Sequence, residues 1–291
     1  MIIYEKLNND NFDILNKLIK ESKEEIQYQL NFYTYYDNKS FIYKFFIRKL
    51  VKLIKYEDKY IGYIWLDNSN LKSIRINDIY IKKEFLWLLN CDTLKELKSN
   101  LVIYETFENS YTCELINNLH MNRYKLTSLM FLNVEDYKNI NKNKNKNLRF
   151  RKYNKKTDRK LRCMIQNAVF RNESRVPLTI ADIEYDEAQE YYINDLCIFI
   201  EYNNTPIGYG QIVYNRGIYS AVNIGILEGY RGTGFGKELV NELIDIAKKR
   251  GIDKLYIRVE CENVNAKRLY KSLGFVEIGN MSNWVWNKKV W

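Results

Sequence analysis

The stretch RGTGFG, residues 231–236, sets a guanidinium beside three glycines at alternate positions. An amphipathic run follows directly, so the stretch reads as a turn opening a helix. The first N–H groups of a helix have no partner within it and lie at the positive end of its dipole. An anion fits there. Glycine permits positive φ and a close approach to the backbone. Gly232, Gly234 and Gly236 can therefore turn several amides toward one phosphate, with Arg231 adding a charge-assisted contact. A nucleoside-triphosphate loop is disfavoured: Lys237 follows the last glycine, but Glu238 takes the place of the required Ser or Thr. A dinucleotide fingerprint does not fit either, since no acidic strand end follows at the expected distance. Alone, the loop supports an anion near a helix start and supports a ligand-free tight turn equally well.

The elements around it are legible from pattern. Strands are expected at 148–153, 196–202, 207–214, 219–227 and 254–261, with two closing strands near 275–279 and 283–289. Helices are expected over 157–171, 181–192, 235–250 and 264–273. In the helix at 235–250, Leu239, Leu243, Ile246 and Ala247 share a face. Lys248, Lys249 and Arg250 suit the negative end of its dipole, and Gly251 suits its C-terminal cap. Asn263 is placed to cap the helix at 264–273. Tyr270 shares a face with Ala266, Leu269 and Leu273, which is the position of a core aromatic. Gly225, inside a strand, marks a bulge or a close backbone approach.

R-x-x-G-x-G at 231–236, followed by N263-x-x-A266-x-x-L269-Y270-x-x-x-G274-F275, resembles the acyl-CoA motifs of the GNAT superfamily of N-acyltransferases. The two motifs stand in that family's order, one helix and one strand apart, and the resemblance covers roughly 148–291. Glu228 departs from it, standing where many members have proline. The resemblance implies an acetyl-CoA-dependent N-acetyltransferase that acts directly on a primary amine, without a metal. It assigns Arg231, Gly232, Thr233, Gly234, Phe235, Gly236 and Lys237 to the pyrophosphate of acetyl-CoA. The backbone near Ile224, Ile226 and Leu227 is assigned to the pantetheine arm, in a V-shaped opening between strands 219–227 and 254–261. It gives Asn263 a cofactor contact alongside its capping role. It gives Tyr270 the part of general acid toward the departing thiolate, in competition with a plain core role. Glu228, Glu260 and Glu262 are candidates for the base, with none preferred.

The two halves of the chain resemble each other. LVKLIKYEDKYIGYIWL at 50–66 parallels LCIFIEYNNTPIGYGQIVY at 196–214, and LVIYETFEN at 101–109 parallels LYIRVECEN at 255–263. An internal duplication is the simplest account. Where the second half has its glycine loop, the first reads IYIKKEFLWLL, with no glycine. Aligned on the E-N strand ends, Ile116 stands opposite Tyr270 and His120 opposite Gly274. The expected fold class is therefore an α/β, mixed-sheet protein of two tandem GNAT-like domains, each a mostly antiparallel mixed sheet flanked by helices. Residues 1–137 form a degenerate copy without the cofactor loop, 138–147 a linker, and 148–291 the catalytic domain. The degenerate copy is expected to complete the core and to wall the acceptor pocket.

Composition bounds the rest. The chain has 291 residues, 46% of them hydrophobic and 28% charged, which is a globular balance. No apolar run approaches a membrane span, and the N-terminus lacks a signal-peptide pattern, so a cytoplasmic protein without a membrane partner is expected. The formal net charge is +10, but it spreads over both halves, with KNINKNKNKN as the one basic run. Nucleic acid is not expected as a partner, because binding shows a clustered footprint. The five cysteines are odd in number and form no C-x-x-C pair, so reduced thiols are expected. The acidic run DIEYDEAQEYY, residues 182–192, falls where the family's acceptor-binding helix lies. It fits a cationic substrate and an ordinary solvated face equally. A monomer or homodimer is expected, with a small-molecule or peptide amine as substrate. A non-catalytic acyl-CoA-binding regulator and a transferase of longer acyl or aminoacyl groups stand as alternatives.

Overall fold

The computed structural model describes residues 2–37, 39–68, 73–90, 92–138, 145–172 and 175–288. Most of the expected linker at 138–147 lies outside them. The chain folds as two compact units: Met1–Thr127 with Gly279–Trp291, and Ser128–Ile278.

The first unit runs β1 (Ile3–Lys6), α1 (Phe12–Glu25), α2 (Phe32–Asp37), α3 (Phe41–Lys49), β2 (Val51–Tyr56), β3 (Lys59–Asp67), β4 (Ile74–Ile81), β5 (Leu101–Phe107) and α4 (Ser110–Asn118). Two 3₁₀ helices, Lys83–Leu88 and Thr93–Leu97, lie between β4 and β5. Strand β6 (Asn122–Asn133) leaves this unit at Thr127. The second unit continues with β7 (Leu148–Lys152), α5 (Arg159–Val169), α6 (Ile180–Glu187), β8 (Tyr192–Tyr202), β9 (Thr205–Asn215), β10 (Ile218–Ile226), α7 (Phe235–Lys249), β11 (Lys254–Glu260) and α8 (Val264–Ser272). Strand β12 (Val276–Asn287) begins in the second unit and enters the first at Gly279.

The strand orders are β1-β2-β3-β4-β5-β12 in the first unit and β6-β11-β10-β9-β8-β7 in the second. Each sheet is mostly antiparallel with one parallel pair, β4 with β5 and β10 with β11. The mixed, duplicated fold expected from sequence is present.

The repeats agree in detail. Gly62 and Gly208 of the two I-G-Y triplets are both closely packed: an added Cβ would lie 2.1 Å from the Tyr80 carbonyl oxygen and 2.5 Å from that of Gly225. Asn109 caps α4 by accepting from the Thr112 amide, and Asn263 caps α8 by accepting from the Ala266 amide. After those helices His120 and Gly274 both take positive φ, +52° and +88°. The amide one residue further on reaches back to Ile116 O and Tyr270 O respectively.

One expectation changes. The closing pair of strands is one strand, β12. Gly279 lies within it at φ +151°, and a Cβ on it would lie 2.4 Å from Phe107 Cζ. The compact units divide at Thr127/Ser128 and Ile278/Gly279. The reason is the antiparallel ladder from Met281↔Phe107 to Asn287↔Leu101, which ties the C-terminal segment to β5.

Candidate active site

The site is built where β10 and β11 part. Their parallel register holds only at Tyr219↔Leu255, Ser220↔Tyr256 and Ala221↔Ile257, although both strands run on. On its other side β10 stays with β9 as far as Ile226↔Gly208, but the register slips between Val222 and Gly225. One extra residue there makes a β-bulge, and Asn223 takes φ +55° to accommodate it. Asn223 and Ile224 thus fall outside both ladders. Gly225 has both properties expected of it, since it closes the bulge and a Cβ would stand 2.0 Å from Val169 Cγ1 of α5.

Beyond β10 the chain makes a 3₁₀ turn, Glu228–Tyr230, and reaches the glycine loop. Gly232 and Gly234 adopt φ +78° and +89°, with nothing within 4 Å of where a Cβ would stand. Gly234 is the N-cap of α7 and supplies no side-chain cap. It does offer its carbonyl to the amides of Lys237 and Glu238. Thr233 turns its hydroxyl onto Tyr230 O at 2.7 Å, and Phe235 is buried against the ring of Tyr202. Gly236 faces Leu269 Cδ2 of α8 and Ile226 Cγ1 of β10, at 3.8 and 3.9 Å from its virtual Cβ. The loop, the end of β10 and α8 therefore meet at one place.

Arg231 lies in this cluster with its guanidinium already engaged. Nε donates to Ile226 O at 3.0 Å and Nη2 to Val169 O at 2.9 Å. It braces the end of β10 against the end of α5. The Leu227 amide donates to Ile207 O at 2.8 Å, and its carbonyl accepts from Tyr230. Of the three residues expected to offer backbone to a pantetheine arm, Ile224 is thus the one outside the ladders. Tyr270, on α8, is 8% exposed and packs on Phe275 with ring centroids 6.0 Å apart. Burial pushes its hydroxyl up to about 12. Glu228, Glu260 and Glu262 are all exposed.

The first unit repeats the parting of strands and fills it. The register of β4 with β5 also ends after three pairs, at Ile76↔Tyr104. At the end of β4 the buried Tyr111 hydroxyl donates to Ile81 O at 2.8 Å and accepts from Ile81 N at 2.9 Å. Ile81 is the counterpart of Ile226, each facing the glycine of an I-G-Y triplet. In place of the glycine loop and α7 stand the two 3₁₀ helices.

Arg162 is absent from the residues that the sequence singles out. It is 1% exposed in α5, paired with Asp186, and its Cζ lies 5.6, 5.6 and 5.1 Å from the ring centroids of Tyr153, Tyr192 and Tyr209. A signal for it exists: Arg162 and Gln166 occupy the same helical stripe as Ile165 and Val169, so polar groups sit at core positions. This network also revises the reading of the acidic run. Asp182 caps α6 by accepting from Thr179, Glu184 and Glu187 pair with Arg159, and Asp186 serves Arg162 and Tyr191. Those pairings tie α6 to α5, while Asp182, Glu184 and Glu190 remain exposed.

The family model for the Acetyltransferase (GNAT) family matches residues 167–275, which contain β10, the glycine loop, Asn263 and Tyr270. A ribosomal protein bS18-alanine N-acetyltransferase of Haemophilus influenzae is 32% identical over 111 residues, spanning 38% of this chain and 71% of that protein. The protein of that name from Escherichia coli K12 is 42% identical over 55 residues, 19% of this chain and 37% of its own length. Among solved structures, a GCN5-related N-acetyltransferase from Sphaerobacter thermophilus aligns with a TM-score of 0.69 at 14% identity, covering 98% of this chain and 95% of that one. A tandem GNAT protein from the clavulanic acid biosynthesis pathway aligns with a TM-score of 0.59 at 8% identity, covering 81% and 82%. Those two likenesses speak for the fold. The Haemophilus relative, with the family model, shows that this chain belongs to the acetyltransferase (GNAT) family, and its fold is that of a tandem protein whose first repeat lacks the glycine loop.

Proposed function

We propose that the chain transfers an acetyl group from acetyl-CoA to a primary amine, and that residues 148–291 carry the site. The observation that carries this reading is the open glycine cradle at the start of α7, set beside strands that part. Gly232 and Gly234 leave space within 4 Å of their virtual Cβ atoms, and α7 lacks a side-chain cap. A pyrophosphate suits that space, because it takes the helix-terminal amides that no side chain uses. Lys237 adds a cation in the first turn, and Arg231 fixes the shape of the loop. The backbone at Ile224, outside both ladders, suits an extended amide-bearing arm. Bound acetyl-CoA supplies the activated thioester carbonyl, and the rest falls to the protein. An amide of the β10 bulge polarises that carbonyl. Tyr270 hydrogen-bonds to the departing sulfur. A surface carboxylate or water takes the proton of the amine.

Among acceptors, the likeness to ribosomal-protein alanine acetyltransferases favours a peptide or protein amine. The test is CoA release by the full chain with acetyl-CoA and a panel of amines that includes peptides beginning with alanine. CoA release with at least one amine is expected. Acetyl-CoA binding without release for any of them favours the regulator. Gly234→Val offers a companion test. A β-branched residue at φ +89° is strained, and its side chain occupies the cradle. Donor affinity should fall at least about tenfold by calorimetry, which corresponds to roughly 1.4 kcal/mol.

A further inference from the structure

Helix α3 faces the wrong way for a soluble surface. Ile47 anchors it, only 2% exposed, and it lies against β2 and α2. Its outward face carries Phe41, Ile42, Phe45 and Phe46, which are 88%, 70%, 57% and 56% exposed. At helical spacing these four share one side, with Lys49 among them. An isolated exposed apolar residue needs no explanation, but a contiguous cluster of this kind marks an interaction surface.

The charges around it identify the occupant. From Phe32 to Lys49 the chain carries Lys39, Lys44, Arg48 and Lys49 against a single carboxylate, Asp37. The cations lie over the aromatic rings: Lys49 Nζ is 4.4 Å from the Phe45 centroid and 5.4 Å from that of Phe46. Lys39 lies over Tyr35 and Tyr43, and Lys44 over Tyr36. A second copy of the chain would set this basic face against itself, and like charges oppose that pairing. The apolar side chains project outward; they do not line a groove. Projecting aromatics ringed by cations suit a medium they can enter, with anionic groups at its surface.

We propose that α3 docks the protein on an anionic lipid bilayer, with Phe41, Ile42, Phe45 and Phe46 entering the interface and the surrounding lysines meeting the headgroups. No helix among the described residues is long and apolar enough to cross a membrane, so the contact is peripheral. Hydropathy alone, which looks for a crossing helix, leads to the expectation of no membrane partner.

The test is co-sedimentation of the full chain with vesicles of phosphatidylcholine alone and with one part in three of phosphatidylglycerol. Binding is expected on the anionic vesicles, at least about tenfold stronger than on the neutral ones, and weakening as salt rises. Phe41→Ser with Ile42→Ser should reduce it at least about tenfold, since both side chains are exposed and their loss costs the fold little. Lys49→Glu should reduce it by several-fold, and both variants should keep their fold by circular dichroism. Equal retention on both vesicle types overturns the proposal, as does no retention on either. So does a stable dimer in solution that the double variant dissolves, which would assign the face to a second copy. Retention that the double variant leaves unchanged overturns it too, because the contact then lies elsewhere.

Discussion

At Tyr270 a core role meets the proposed role toward the departing sulfur, and the geometry limits each. The ring is core, packed on Phe275, while its helix abuts the cradle through Leu269 and Gly236. With its pKa pushed up to about 12 by burial, the hydroxyl stays protonated at any physiological pH and so remains a donor. A phenol is already a weaker acid than a thiol, whose pKa is about 8.5, and the shift widens the gap, so full transfer to a free thiolate runs uphill. Stabilising a developing charge is the more economical role. Tyr270→Phe should therefore lower kcat by about 10- to 100-fold and leave acetyl-CoA affinity within about twofold, read by steady-state kinetics and calorimetry. An unchanged kcat removes the role. Asn263 separates differently. The first repeat keeps the same cap at Asn109 without a glycine loop, so capping alone accounts for its identity. Asn263→Ala should cost about 1 kcal/mol of stability and Asn263→Ser much less, because serine also caps. If both weaken donor binding equally, by equilibrium titration, then Asn263 touches the cofactor as well.

Among the elements, α8 must be held in place for Tyr270 to act, and a carboxylate on β12 holds it. Glu277 accepts from Ser128 at 2.7 Å and pairs with Lys267 at 2.8 Å and Lys271 at 3.3 Å. Those hydrogen bonds, Lys267 first and then Ser128, pull its pKa down to about 2 from 4.5. A carboxylate with a depressed folded pKa adds stability above its unfolded value and loses it as pH falls through the folded one. The loss should run from about pH 4.5 down to about pH 2. Since Glu277 is largely solvent-exposed, solvent screening limits the effect to about 1 kcal/mol. Denaturant titrations at several pH values should show that slope in the parent chain and a shallower one in Glu277→Gln. Local patterns in this molecule are legible in the chain itself. The stripe of α7, its lysines and Gly251 follow from period and capping, and the I-G-Y and E-N signatures mark equivalent strands in both halves. Long-range contacts leave no such trace. Nothing in VEIGNMSN says that Gly279 passes the ring of Phe107. Nothing near Arg159 or Arg162 says that both reach the carboxylates of α6. Tyr111 is equally silent, since its importance lies in the strand end that its hydroxyl occupies.

At the scale of the whole molecule the proposed site belongs to one of two similar folds, and the difference between the described parts of the repeats is physical. Both repeats part their parallel strands; the second leaves the gap beside a glycine cradle, while the first closes it with Tyr111 and replaces α7 by 3₁₀ turns. One acetyl-CoA per chain is therefore expected by calorimetry, and two would mean that Tyr111 yields. The expected division at 138–147 follows composition, because a run of Lys and Asn reads as a linker wherever it falls. The ladder of β12 with β5 involves residues nearly two hundred positions apart, and no local pattern announces it. It makes a firm prediction for a cut at the apparent linker. A fragment of residues 148–291 retains Met281–Asn287 but loses β5, its partner over that whole stretch. Trp286, fully buried in the intact chain, becomes exposed on an unpaired edge. Such an edge invites association with another chain. The fragment should aggregate where the full chain stays monodisperse by light scattering, and adding residues 1–147 in trans, which return β5 together with Met130, Leu132 and Val134 of the second core, should restore solubility. A fragment that is monodisperse by itself would mean that the C-terminal strand finds its pairing without β5.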